Sequence, residues 1–163
     1  MYSLSSPFNL REFDAASESD QAFVRVLYRS SRDDLLQMQA EADFIDQLIA
    51  MQQRMHDQGY RQSYPQARHL MIERDGAPIG RLIVNPAEQA LRVVDITLLP
   101  QAQGQGAGGA VLAGLQAHAA TQGCTVSLGV NHANLAARRL YARLGFVADG
   151  EDPIQQQLRW SAP

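Results

Sequence analysis

Residues Gln101 to Ala110 read QAQGQGAGGA and place four glycines within six positions, after the apolar run VVDITLLP and before VLAGLQAHAA. Glycine that dense interrupts a strand and weakens a helix, so it points to backbone that turns sharply or is approached closely. A strand ending at Pro100 and a helix starting within the loop would leave the first helical amides without intrahelical partners. With the helix dipole, those amides make an anion site suited to a pyrophosphate. Bare backbone at Gly106 and Gly108 would let phosphates approach with no Cβ in the way.

Two other phosphate motifs compete for the same residues. Gly104-x-Gly106-x-x-Gly109 satisfies the G-x-G-x-x-G spacing of dinucleotide folds. The following strand, CTVSLGV, ends in Asn131 and offers no acid for a ribose hydroxyl. Only about fifty residues follow the loop, too few to complete a doubly wound sheet. A nucleoside-triphosphate loop needs Gly-Lys-Ser/Thr, and all 14 basic residues here are arginine. The same absence excludes a Schiff-base lysine and a lysine general base.

Asp95 is the only charged residue in the run Val93–Leu99 and shares a strand face with Thr97 by period 2. It reads either as a proton acceptor or as a structural aspartate bonded to neighbouring backbone. Cys124, the single cysteine, allows no intrachain disulfide and fits a reducing compartment. It begins a strand as a small buried hydrophobe, and with His132 it lacks the context of a thiol nucleophile. His56, His69, His118 and His132 show no metal-ligand spacing, so no metal is expected. Arg138 and Arg139 read either as cations within reach of a ligand's phosphates or, more simply, as solvated helix residues.

Gln103-Gly104-Gln105-Gly106-Ala107-Gly108 resembles the Q/R-x-x-G-x-G/A loop of the GNAT superfamily of N-acetyltransferases. Downstream, Asn134-Leu-Ala-Ala137-Arg-Arg-Leu140-Tyr141-Ala-Arg-Leu-Gly145-Phe146 resembles that family's N-x-x-A-x-x-L-Y-x-x-x-G-F. The two motifs stand in the family's order, with a helix and a strand between them. The resemblance implies an acyl-coenzyme A N-acyltransferase fold with acetyl-coenzyme A as cosubstrate. It implies that Gln103, Gly104, Gln105, Gly106, Ala107, Gly108 and Gly109 hold the pyrophosphate. Ile96, Thr97 and Leu98, on a splayed central strand, would pair with the pantetheine arm, and Asn134 would bond it. Asn134 also reads as a plain helix N-cap.

The implied reaction is direct attack of an amine on the thioester. Tyr141 would be the acid for the leaving sulfur, and Asp95 the base, acting through a water. A backbone amide near Leu98 would polarise the carbonyl. Tyr60 and Tyr64, in GYRQSYP, form a candidate rim for a small-molecule or peptide amine. Gln103 and Gln105 stand where the family usually has arginines, and Gly109 where it often has a serine or threonine. An alternative on the same motifs is a coenzyme A-binding sensor or interaction module without turnover. A homodimer is compatible with either.

These residues need a scaffold. The chain has 163 residues, 45% hydrophobic and 19% charged, which fits one domain over 1–163. A net charge of -3 argues against a nucleic-acid partner. The start MYSLSSPFNLREFD lacks a signal-peptide core, and no apolar run approaches a span, so no membrane and a cytoplasmic location are expected. Residues 4–13 hold a first strand, and Ser17 with Asp20 opens a helix as a capping box. That helix shows Phe23, Val26, Leu27 and Ser30 on one face. A second helix runs from 41 to 57, with Phe44, Leu48, Met51 and Met55 as its core stripe and Gly59 as its end.

Two strands flank Asp75-Gly76, and Asn85-Pro86 starts another turn. Leu91–Leu99 reads as a central strand covered on both faces. Val111, Leu112, Leu115 and Ala119 mark a helix ending near Gly123, before the strand CTVSLGV. Ala137, Leu140, Tyr141 and Leu144 mark another, closed by Gly145. Phe146–Ala148 and Ile154–Trp160 complete a mixed, mostly antiparallel sheet of about 6–7 strands with about 4 helices on its faces, an α/β (α+β) arrangement.

Overall fold

Runs rich in Val, Ile and Leu between turn residues give seven strands. The structure, a computed structural model, describes residues 2–163. The strands are β1 (Phe8–Glu12), β2 (Arg68–Arg74), β3 (Ala77–Pro86), β4 (Ala90–Leu98), β5 (Thr125–Asn131), β6 (Val147–Glu151) and β7 (Gln155–Trp160). They form one sheet in the order β1-β2-β3-β4-β5-β7-β6. Only β4 and β5 are parallel, because the crossover between them carries a helix. The helices are α1 (Glu18–Ser30), the single turn α2 (Asp33–Leu36), α3 (Ala42–Ser63), α4 (Ala107–Gln122) and α5 (Leu135–Arg143). This is the mixed, mostly antiparallel arrangement expected from the sequence.

One face of the sheet holds the main core. Leu70, Ile72, Leu82, Val84, Leu91, Val93, Val126 and Leu128 pack there with Val111, Leu112, Leu115 and Ala119 of α4 and with Tyr141 of α5. Ala137, Leu140 and Leu144 pack against the same cluster, and Gly145, at φ 89°, lets the chain turn after α5. α1 packs against β3 and α3.

Several local readings are corrected. Ser17 caps α1 by accepting from the Asp20 amide at 3.2 Å, but the Asp20 carboxylate does not return to Ser17. It is buried and takes two 2.9 Å bonds from Arg11, which ties α1 to β1. The inner face of α1 is Val24, Leu27 and Tyr28, and Val26 is 58% exposed. In α3 the apolar stripe is Ile45, Leu48 and Ile49, whereas Phe44, Met51 and Met55 are exposed. That inward stripe continues into polar residues, so the outward methionines made the stronger periodic signal. α3 runs through Gly59 to Ser63, and Asn85-Pro86 still belongs to β3, with its turn at residues 87–89.

Candidate active site

β4 is central, yet it is not covered along its whole length, contrary to its apolar sequence. Its pairing with β5 runs from Ala90↔Thr125 to Val93↔Leu128 and stops. β5 continues instead beside β7 to Asn131. The β5-facing edge of β4 beyond Val93 therefore lacks a strand partner, and such an edge offers its amides and carbonyls to an extended ligand.

A β-bulge sets the faces. Ile83 lies opposite Asp95 and Val84 opposite Val93, so Val94 is skipped. One extra residue inverts the alternation beyond it. Leu91 and Val93 before the bulge, and Ile96 and Leu98 after it, belong to the same core cluster. Arg92, Asp95 and Thr97 consequently share the opposite face.

A cleft of about 230 Å³ opens where the strands part. Val93–Ile96, Leu128–Asn131, Tyr60, Asn134, Tyr141 and Gln155 line it. α5 supplies Tyr141, which is buried and edge-on to Phe146 at 5.8 Å between centroids. Burial, and then the Asp95 charge, raise the Tyr141 pKa above its ordinary value. Asn134 caps α5 by accepting from the Ala137 amide at 3.2 Å, which engages Oδ1 and leaves Nδ2 for a ligand.

Tyr60 lines this cleft and also a smaller cavity with Tyr28, Arg32, His56, Arg81, Asp95 and Thr97. Its pKa is pushed up to about 12, first by burial and then by the Asp95 charge. Tyr28, His56 and Tyr60 form a run of ring contacts at 5.6 and 5.9 Å. Tyr64 is the C-cap of α3 and lines neither cavity.

Asp95 sits in a web of side chains rather than on neighbouring backbone. The Thr97 hydroxyl donates to it at 3.0 Å, and Arg81 reaches it at 3.3 Å and Asp57 at 3.2 Å. Arg81 and Asp57 carried no motif, and only strand pairing and α3 bring them here. His69 on β2 feels the same charges. Burial, and then Arg81 and Arg61, push its pKa below the ordinary histidine value.

The glycine loop follows β4. A 3₁₀ turn at Pro100–Ala102 leads to Gly104 and Gly106 at φ 74° and 93°, and Gly106 is the N-cap of α4. No side chain caps that terminus. Ala110 N–H closes the first intrahelical bond to the Gly106 carbonyl. The amides ahead of it remain available to an anion. A Cβ on Gly108 would stand 3.4 Å from Leu140, so close packing of α4 on α5 gives this glycine a second reason.

The loop glutamines are tied down. Gln103 donates to the Leu98 carbonyl at 3.2 Å, and Gln105 to that of Gln101 at 3.0 Å. Arg74 of β2 donates to the Gln105 carboxamide oxygen at 3.1 Å. A cation thus reaches the loop from outside the motif, which the sequence reading missed. Arg138 donates to the His132 carbonyl at 3.1 Å and, with Arg139, lines a groove against β6 and β7.

The acetyltransferase (GNAT) family model matches residues 32–146. Among solved structures, the chain is similar to the PaiA N-acetyltransferase of Thermoplasma acidophilum, determined with coenzyme A. Identity is 16%, coverage 95% of this chain and 99% of that one, and the TM-score 0.66. It is similar to the Salmonella typhimurium acetyl transferase that modifies the N-terminal serine of ribosomal protein L7/L12, at 19% identity, 98% and 97% coverage and a TM-score of 0.64. The Escherichia coli ribosomal-protein-S18-alanine N-acetyltransferase matches at 17% identity, 93% and 90% coverage and a TM-score of 0.59. At these identities the likeness establishes the fold. No curated protein matches the chain in sequence.

Proposed function

The chain belongs to the GNAT family of acetyltransferases, and from that premise we propose that it carries an acetyl group from acetyl-coenzyme A to an amine by direct attack on the thioester. One observation carries the reading. The unpaired edge of β4 leads from a cleft holding Tyr141 to the uncapped N-terminus of α4. An arm with amides fits the edge, and a pyrophosphate fits the helix amides. Asn134 Nδ2 and the backbone of Ile96, Thr97 and Leu98 would hold the arm. Gln103–Gly109 would hold the pyrophosphate through backbone, with Arg74 supplying charge.

The chemistry needs a neutral amine. Its nitrogen forms a bond to the thioester carbonyl carbon, the carbon–sulfur bond breaks, and the sulfur leaves with the bond's electron pair. Tyr141 gives that sulfur a proton; burial and the Asp95 charge raise its pKa and favour the protonated phenol that an acid needs. The amine's proton passes through water to Asp95, which Thr97 and Arg81 hold in place. An amide near Leu98 polarises the carbonyl.

The test is to record the melting temperature with acetyl-coenzyme A, coenzyme A and NAD, then thiol release with a panel of amines. Both coenzyme A forms should stabilise the protein and NAD should not. No shift with either coenzyme A form contradicts the assignment. Stabilisation without thiol release from any amine would instead leave a coenzyme A-binding module.

A further inference from the structure

We propose that Asp57, which lines neither the cleft nor the smaller cavity, is a positioning residue for the proton transfer: by sharing the Arg81 guanidinium it leaves Asp95 able to accept the amine's proton. This role rests on the acetyl-transfer reading, in which Asp95 is the base.

Arg81 on β3 stands between two carboxylates. Its Nη1 lies 3.2 Å from Asp57 Oδ1, and its Nε and Nη2 lie 3.4 and 3.3 Å from Asp95 Oδ2. The Arg81 side chain is only 12% exposed, and those of Asp95 and Asp57 are 19% and 31% exposed. Charges so withdrawn from water act on one another more strongly than at an open surface. Neither pairing is tight. Arg11 reaches Asp20 at 2.9 Å and Arg32 reaches Asp34 at 3.0 Å, and those bonds hold both carboxyls below their ordinary value. Arg81 stands farther than this from each of its two acids.

The charge count gives the consequence. Two carboxylates on one guanidinium leave one negative charge. When Asp95 takes the proton the trio becomes neutral, so the transfer relieves an excess charge. With Asp57 uncharged the trio would start neutral and end cationic, which a partly buried site resists. The proton also has a defined place. Both Arg81 nitrogens point to Asp95 Oδ2, whereas Oδ1 meets only the Thr97 hydroxyl, which the two oxygens share. Oδ1 keeps a lone pair for the proton that leaves the amine nitrogen through water.

The other groups facing Asp95 do not replace Asp57. Burial, and then the Asp95 charge, raise the pKa of Tyr60 and of Tyr141, so both phenols are neutral at pH 7. On the side of the smaller cavity stand His56, Tyr28 and Arg32, whose guanidinium is bound to Asp34 and to the Tyr28 hydroxyl. His69 is lowered by burial, and then by Arg81 and Arg61, which favours its neutral form. Arg92 shares the strand face, and its end packs against Gly129. Among the described residues, Asp57 is the only acid besides Asp95 that pairs with Arg81.

The experiment is a carbon-13 titration of the Asp95 carboxyl in the full chain, assigned by its loss in Asp95→Asn. It needs no acceptor amine. Asp57→Asn should move the Asp95 midpoint down by roughly one pH unit, because Arg81 then serves Asp95 alone, and Arg81→Gln should move it up. Asp57→Glu keeps the charge and should restore most of the wild-type midpoint. An Asp57→Asn midpoint at or above that of wild type overturns the proposal: an acid that only ties α3 to β3 would change the melting temperature and leave this titration in place. Asp57→Ser gives the same measurement should the asparagine variant not fold.

Kinetics test the link to transfer. With an amine that supports thiol release, the acid limb of kcat/KM should move with the carboxyl in each variant. Above that limb, kcat of Asp57→Asn should fall roughly 3- to 10-fold, as a weaker base gives, with KM for acetyl-coenzyme A unchanged. A limb that stays in place in both variants overturns the role. Full thiol release by Asp95→Asn, or failure of coenzyme A to stabilise the protein, would instead remove the reading beneath it.

Discussion

The loop Gln101–Ala110 leaves the first amides of α4 without intrahelical partners, while the adjoining cleft is lined by residues from α3, β4, β5, α5 and β7. The first depends on glycine conformations and on one helix terminus. The second depends on strand register, and one extra residue at Val94 decides which side chains meet. A backbone site tolerates changed side chains provided the turn survives. That is how glutamines can stand at 103 and 105, with Arg74 reaching in from β2. A side-chain site has no such tolerance, because each group is fixed by a different element.

The largest separation between the two regions should come from Tyr141→Phe. It removes the proposed acid of the cleft and leaves the loop intact. Turnover should fall roughly 100- to 1000-fold, the usual contribution of a positioned acid, with little change in coenzyme A affinity by calorimetry. An unchanged kcat would take Tyr141 out of the chemistry.

Gly106→Asp probes the other side. It places a carboxylate and a side chain at φ 93° against the α4 amides. Coenzyme A affinity should drop by about 100-fold, combining backbone strain with like-charge repulsion at the helix terminus. Retained affinity would mean that the pyrophosphate binds elsewhere.

Arg74→Ala is a smaller test of the same region. Loss of one partly screened charge should weaken coenzyme A binding about 5-fold, and less at high salt. A salt-independent loss would point to a structural role beneath Phe8, whose ring the guanidinium covers at 5.6 Å.

The smallest effect concerns His69, whose folded pKa is lowered by burial and by neighbouring arginines. The unfolded chain then binds the proton more readily, so stability is full above the ordinary histidine pKa and declines as pH falls below it. Melting temperature should be lower at pH 5 than at pH 7 by no more than about 4 °C, the shift that 1 kcal/mol gives in a domain of this size. His69→Gln should flatten that part of the profile. A profile identical to wild type would remove His69 as its source.

The two regions were also unequally legible. The loop declared itself through Gly104 and Gly106 between an apolar strand and an apolar helix, all local features. Asn134 and Tyr141 were found through a motif on one short helix. In α3, by contrast, period alone selected Phe44, Met51 and Met55, which face water. In its second half His56 and Tyr60 line a cavity, and a polar cavity lining imitates a solvated face. Tyr60 and Tyr64 looked equivalent in sequence, yet only Tyr60 lines the cleft.

The sequence by itself determined the family, the order of strands and helices and the glycine-rich loop, and it named a candidate acid, because each rests on residues close together in the chain. Tertiary structure alone decided the rest. It ended the β4–β5 pairing at Val93, skipped Val94, linked Asp57 and Asp95 through Arg81, and packed the ends of Arg92, Gln155 and Gln157 against Gly129. The physical reason is that register and bulge position follow from packing both faces of the sheet at once, and contacts between distant segments leave no period or spacing in the chain.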